Sequence, residues 1–193
     1  MLYKDLTGVR PEILQAVERM GFTEMTEVQE KTIPVMMAGH DVIAKAPTGT
    51  GKTCAFGIPI IERIDPSRPL PQAVILAPTR ELAQQIAGDL EDLTHFLPDV
   101  RTVCVYGGAD MQKQANRLKK GCQIVVATPG RLMDHMRHKS IDVSAVTSIV
   151  LDEADEMLNM GFYKDVRKII DAMKARKSLC MFSATISREV MDI

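Results

Sequence analysis

The sequence predicts an α/β fold built on a mostly parallel sheet. Short apolar runs rich in Val and Ile alternate along the chain with amphipathic helical stretches. Those runs are continuous rather than strictly alternating, the pattern of strands covered on both faces. One run also leads through a glycine-rich turn, APTGTGKT from Ala46 to Thr53, into a helical stretch. That is the context in which a phosphate-binding loop occurs.

Each element can be justified in turn. Pro11 suits a first helical position, Ile13, Leu14 and Val17 give an apolar face, and Gly21 stops the helix. A second helix runs from near Thr26 to Gly39. DVIAKA (41–46) is the first strand, and residues 51–64 form the helix after the turn. The proline-rich stretch Ile64 to Gln72 reads as a surface linker. AVILAP (73–78) is the next strand. The helical segment after it sets Leu82, Ile86, Leu90 and Leu93 on one side. The order continues with strand 101–107, helix 110–120, strand 123–129, helix 131–138, strand 147–153, helix 163–175 and strand 178–184. No repeat or low-complexity segment breaks the pattern, so residues 1–193 read as one domain. In such sheets ligands sit beyond the carboxyl ends of the strands.

Composition excludes several classes. Apolar content of 46% and charged content of 25% are those of an ordinary globular protein. The longest apolar runs are too short to cross a bilayer, and MLYKDLTG lacks the pattern of an export signal. The four cysteines (Cys54, Cys104, Cys122, Cys180) form no C-x-x-C pair, so neither disulfides nor structural zinc is expected and a reducing cytoplasm is. A net charge of -1 gives no compositional reason to bind nucleic acid. With no Trp, three Tyr and five Phe, a broad platform for stacking bases is not expected either. Contact with nucleic acid must then rest on local groups aimed at its backbone.

The turn departs from the pattern G-x-x-x-x-G-K-[ST] at one letter, with Ala46 in place of the first glycine. Gly49 and Gly51 let the backbone turn tightly, and the following helix adds its positive end. Lys52 would reach the β- and γ-phosphates, and the Thr53 hydroxyl would hold Mg²⁺. The bland alternative is a glycine-rich turn with a solvated lysine. A phosphate loop needs a carboxylate on a second strand, and Asp152 ends an apolar run. Glu153, next in sequence, could orient or deprotonate a water. These acids could also simply complement a helix dipole.

Asp152-Glu153-Ala154-Asp155 spells DEAD, and from about residue 3 to its end the chain resembles the DEAD-box ATP-dependent RNA helicases. That family writes its loop A-x-T-G-x-G-K-T, so Ala46 is the family's own letter. Other motifs match in order: the Q motif (21–29), PTRELA from Pro78 to Ala83, the pair Gly107-Gly108, TPGR from Thr128 to Arg131, MLNMGF after DEAD, and SAT (183–185).

The resemblance implies a three-layer RecA-like P-loop NTPase domain, the first of two in a helicase core, using ATP and Mg²⁺. It implies nucleotide contacts from Ala46, Thr48, Gly49, Thr50, Gly51, Lys52 and Thr53, with Thr53 and Asp152 on the metal and Glu153 on the water. Gln29 would pair with adenine, although Thr26-x-x-Gln29 is also a capping box. Tyr3, within one residue of the family's stacking aromatic, would lie against the base. Met25 departs from the family's proline. Arg80, Thr128, Arg131 and the Gly107-Gly108 backbone would hold RNA phosphates and sugars without reading sequence, though an isolated arginine there is ordinarily just solvated. Asp155, Ser183 and Thr185 would link the ATP site to the last strand, or Ser183 or Thr185 could merely cap a helix. The family's second domain, with its arginine fingers, would lie outside these 193 residues, so weak nucleotide binding and poor hydrolysis are expected of the stretch alone. No membrane association and a monomer are expected. Two other readings stay open: a nucleotide- and RNA-docking module without catalysis, and an ATPase of a DNA-translocase class.

Overall fold

A computed structural model of the protein describes residues 1–46 and 51–193. The apolar runs become six strands: β1 (Val42–Lys45), β2 (Ala73–Leu76), β3 (Thr102–Val105), β4 (Ile124–Ala127), β5 (Ser148–Asp152) and β6 (Ser178–Ser183). All pair in parallel in one sheet ordered β1-β6-β5-β2-β4-β3. β2, β4 and β5 are buried along their whole length, which explains their continuous apolar runs. The edge strands β1 and β3 are only partly covered.

The helices are α1 (Pro11–Arg19), α2 (Glu27–Met37), α3 (Lys52–Arg63), α4 (Arg80–Leu93), α5 (Met111–Lys119), α6 (Pro129–Arg137), α7 (Ala154–Asn159), α8 (Tyr163–Ala172) and α9 (Arg188–Met191). They cover both faces, so alternate strand residues enter two separate cores. Ile75, Val126, Val150 and Phe182 join Phe56 of α3 and Leu90 of α4 on one side. Leu76, Val125, Leu151 and Met181 join Leu132 of α6 and Ile169 of α8 on the other. The three layers close around rings as well as aliphatic chains: Phe56 and Phe182 lie 5.4 Å apart, tilted by 57°. Gly57 lets α3 approach α4, since a Cβ there would sit 3.0 Å from Leu93 Cδ1.

The boundaries differ from expectation in instructive ways. α6 begins at Pro129, two residues early, because proline is well placed at a first helical position. α7 and α9, six and four residues long, are too short to show a helical period. α7 does carry Asp155 and Glu156 in its first turn, as the helix-dipole alternative has it, while α9 is capped by Ser187 rather than by Ser183 or Thr185. A 3-10 turn at Tyr3–Asp5 was not expected. The N-terminal segment is pinned beside the approach to α2, with Tyr3 N donating to Thr23 O at 3.1 Å and Met25 N to Met1 O at 2.9 Å. Among the described residues no helix is long and apolar enough to cross a membrane.

Candidate nucleotide site and adjoining ledge

β1 and β5 flank β6, so the segments leaving their carboxyl ends face each other across that strand. Lys52, the first residue of α3, and Asp152, the last of β5, meet there with Nζ 3.4 Å from Oδ1, both almost fully buried. The ammonium has no hydrogen-bond partner among the described residues. Burial pushes the Asp152 carboxyl above its usual range, against the pull of Lys52. A buried cation with unused donors at the mouth of a cleft of about 260 Å³ suits anionic oxygens. Thr53, Asp89, Asp152 and Glu153 share the cleft. Among the described residues no cluster of three His, Cys, Asp or Glu could hold a metal unaided. The threonine hydroxyl and the carboxylates lining the cleft are hard oxygen donors of the kind Mg²⁺ takes beside substrate phosphates.

The backbone around the pair is shaped to match. Gly51 turns with φ of 65°, and a Cβ there would lie 2.4 Å from Gln29 Nε2. Ala46 is buried, its N–H donating to Ser183 O at 3.0 Å as pairing with β6 runs out. The expected contacts of Thr48, Gly49 and Thr50 lie outside the described residues. Glu153 has φ of 51°, a left-handed conformation uncommon for a side-chain-bearing residue, and lines the cleft.

Gln29 caps α2 as the spacing suggests: Thr26 N donates to its Oε1 at 2.9 Å and its own N–H reaches Thr26 Oγ1 at 3.4 Å. The same amide does more, with Nε2 donating to Gly51 O at 2.8 Å, so the Q motif is tied to the phosphate turn. Tyr3 is only 3% exposed, within the core, and its hydroxyl donates to Gln29 Oε1. As placed it buttresses Gln29 and offers no open ring face, so stacking on a base would require the 3-10 turn to shift. Met25 has a physical reason to depart from proline, since its N–H makes the bond to Met1 O and proline has none to give.

Asp155, Ser183 and Thr185 come together. Asp155 Oδ2 accepts from Thr185 Oγ1 at 2.9 Å and Thr185 N at 3.2 Å, while Asp155 N donates to Ser183 Oγ at 3.1 Å. Burial would raise the Asp155 carboxyl, but the hydrogen bonds from Thr185 and Ser183 outweigh it and hold it low.

The other half of the rim, beyond β2, β4 and β3, carries a ledge. The Arg80 guanidinium lies 4.8 Å from the centre of the Tyr106 ring, and a Cβ on Gly108 would be 3.8 Å from Arg80 Nη1. Arg131 is 13% exposed, and its Nη1 donates to Ala109 O at 2.9 Å, tying α6 to the turn holding Gly107 and Gly108. Thr128 N donates to Val105 O at 3.1 Å, and its side chain makes no cap bond. Sequence reasoning missed Tyr106, which organises Arg80. It also missed Gln85 and Asp89, four apart on α4 and lining the cleft. Their polar stripe looks like an ordinary solvated face, although burial pushes the Asp89 carboxyl up despite a hydrogen bond from Thr53.

A family model described as DEAD/DEAH box helicase matches residues 26–193. The chain belongs to that family. Within it, the chain is 49% identical over 186 residues to an ATP-dependent RNA helicase CshA of Listeria monocytogenes, covering 96% of this chain and 36% of that protein. It is 44% identical over 178 residues to the ATP-dependent RNA helicase DeaD of Mycobacterium tuberculosis, covering 92% and 32%. The chain thus spans about a third of the length of these DEAD-box relatives. Among solved structures, a DEAD box protein from Methanococcus jannaschii superposes with a TM-score of 0.91 at 40% identity, over 100% of this chain and 52% of that one. The yeast DEAD-box splicing factor Prp28 gives 0.92 at 32% identity, over 100% and 48%. The three-layer sheet is the RecA-like fold of DEAD-box proteins.

Proposed function

We propose that this domain is the nucleotide-binding half of an ATP-dependent RNA helicase core, gripping Mg·ATP on one half of its rim and an RNA backbone on the other. The observation that supports this most is the buried, partly unpaired Lys52 ammonium 3.4 Å from Asp152 at the strand ends. In this reading Lys52 binds the β- and γ-phosphates. Thr53 and Asp152 would hold Mg²⁺, which neutralises phosphate charge when bound. Glu153 orients the attacking water, and the helix end at Gly51 supplies N–H donors. Gln29 reads adenine with its remaining amide N–H and by exchanging an acceptor bond at Oε1. Tyr3 stacks on the base only after the shift described above.

On the ledge, Arg80, Thr128, Arg131 and the Gly107-Gly108 backbone hold phosphates and sugars, which grips a strand without choosing its sequence. Contact with 2′-hydroxyls favours RNA over DNA. Asp155, Ser183 and Thr185 link the ATP site to the last strand. A second RecA-like domain of the same protein completes the enzyme with arginine fingers, worth about 10³–10⁵ in rate, so the 193-residue stretch alone hydrolyses ATP poorly. The test is ATP turnover with and without RNA, for this stretch and for a longer chain carrying the second domain. RNA-stimulated turnover only in the longer chain is the expected result. Equal turnover in both, or stimulation by DNA as strong as by RNA, would overturn the reading.

A further inference from the structure

Beneath the ledge lies a buried polar chain that phosphate chemistry does not use. Gln114 of α5 and His135 of α6 are 3% and 0% exposed. Gln114 Nε2 donates to Tyr106 O at 3.0 Å, which turns its Oε1 toward α6. That oxygen accepts from Arg131 Nη1 at 3.1 Å and lies 3.1 Å from His135 Nε2. A carbonyl oxygen only accepts, so Nε2 carries the imidazole proton and Nδ1 accepts from the Ser140 hydroxyl at 2.7 Å. Burial, with Arg131 nearby, holds the imidazole below its ordinary pKa and keeps it neutral. An apolar pair would fill this space without the cost of desolvating an amide and an imidazole. What the polar pair achieves is orientation: the guanidinium is held from below by an oxygen that is itself fixed from two sides.

We propose that Gln114 and His135 are positioning residues for RNA binding, acting through Arg131 and the backbone of residues 106–109 without touching RNA themselves. The inference rests on the ledge being the RNA surface. Gln114 fixes the turn that carries Gly107 and Gly108, and His135 fixes Gln114. Together they hold Arg131 against the turn at Ala109.

The test is fluorescence anisotropy of labelled oligouridylate binding to the chain over a range of salt, with affinity for a fluorescent ATP analogue measured in parallel. Gln114→Ala and His135→Ala should weaken RNA binding about tenfold and lower the salt slope by about one phosphate contact, with nucleotide affinity unchanged. His135→Gln, which returns an amide donor toward Gln114, should restore both. A merely structural loss would lower nucleotide and RNA binding together and leave the salt slope alone. If the alanine variants melt early, the near-isosteric Gln114→Glu carries the test. It loses the bond to Tyr106 O and sets a negative charge against Arg131, so RNA binding should fall. Wild-type RNA binding in the Gln114 and His135 variants, alongside loss in Arg131→Ala, would overturn the positioning role and leave the ledge standing. Wild-type binding in both Arg80→Ala and Arg131→Ala would remove the ledge itself.

Discussion

At Gly51 two constraints fall on one residue. Its φ of 65° is costly for any residue with a Cβ, and that Cβ would meet Gln29 Nε2 at 2.4 Å. Gly51→Ala is therefore expected to destabilise the domain by about 2 kcal/mol, measured by urea unfolding, while dislodging Gln29 from the turn. A stability equal to wild type would mean that the amide does not sit against this glycine. The Lys52–Asp152 pair makes a different prediction. Asp152→Asn leaves a buried ammonium without its counter-charge and should cost about 3 kcal/mol. Changing Lys52 to Met at the same time should recover most of that loss. Additive effects in the resulting double-mutant cycle would show that the two groups are not a unit.

Between elements, close approach and polar stitching do separate work. α3 touches α4 where Gly57 leaves room, with Leu90 and Leu93 tips 3.1 and 3.0 Å from the missing Cβ. Gly57→Val should push the helices apart and cost about 2 kcal/mol in thermal or urea unfolding, and an unchanged midpoint would contradict that packing. α5 and α6 are joined through His135, whose folded pKa lies below the ordinary 6.5 because of burial, with Arg131 and His138 pushing the same way and Asp134 opposing. As pH falls, the unfolded chain takes up this proton first. The contribution to stability is thus complete above about 6.5 and is lost as pH drops through the lower folded value. Thermal melts of wild type and His135→Gln across that window should show an acid-side loss in the former that the latter lacks.

Much of this was legible in the letters because burial and periodicity write directly into them. All six strands fall within the apolar runs, and Leu82, Ile86, Leu90 and Leu93 do face the core side of α4, Leu82 only partly buried. α7 and α9 were not legible by period, which one turn or so of helix does not carry. Nor were Tyr106, Gln114 and His135, whose partners lie on other elements and are set by tertiary placement rather than by spacing.

For the molecule as a whole, strand order decides which chemistry can meet. β1, β6 and β5 stand together and gather the phosphate turn, DEAD and SAT, while β2, β4 and β3 gather Arg80, TPGR and the glycine pair. Nothing in one sequence reveals that order, because it is fixed by how right-handed crossovers stack the strands. Once it is known, two clusters of residues on one rim follow, with Asp155, Ser183 and Thr185 linking DEAD to the end of β6 in the first of them. The most direct measurement of the central claim is a calorimetric titration of the chain with ATP, with and without Mg²⁺, for wild type and Lys52→Ala. Metal-dependent ATP binding in wild type, lost with the lysine, is the predicted result. Equal affinity in both proteins, or affinity indifferent to Mg²⁺, would contradict it.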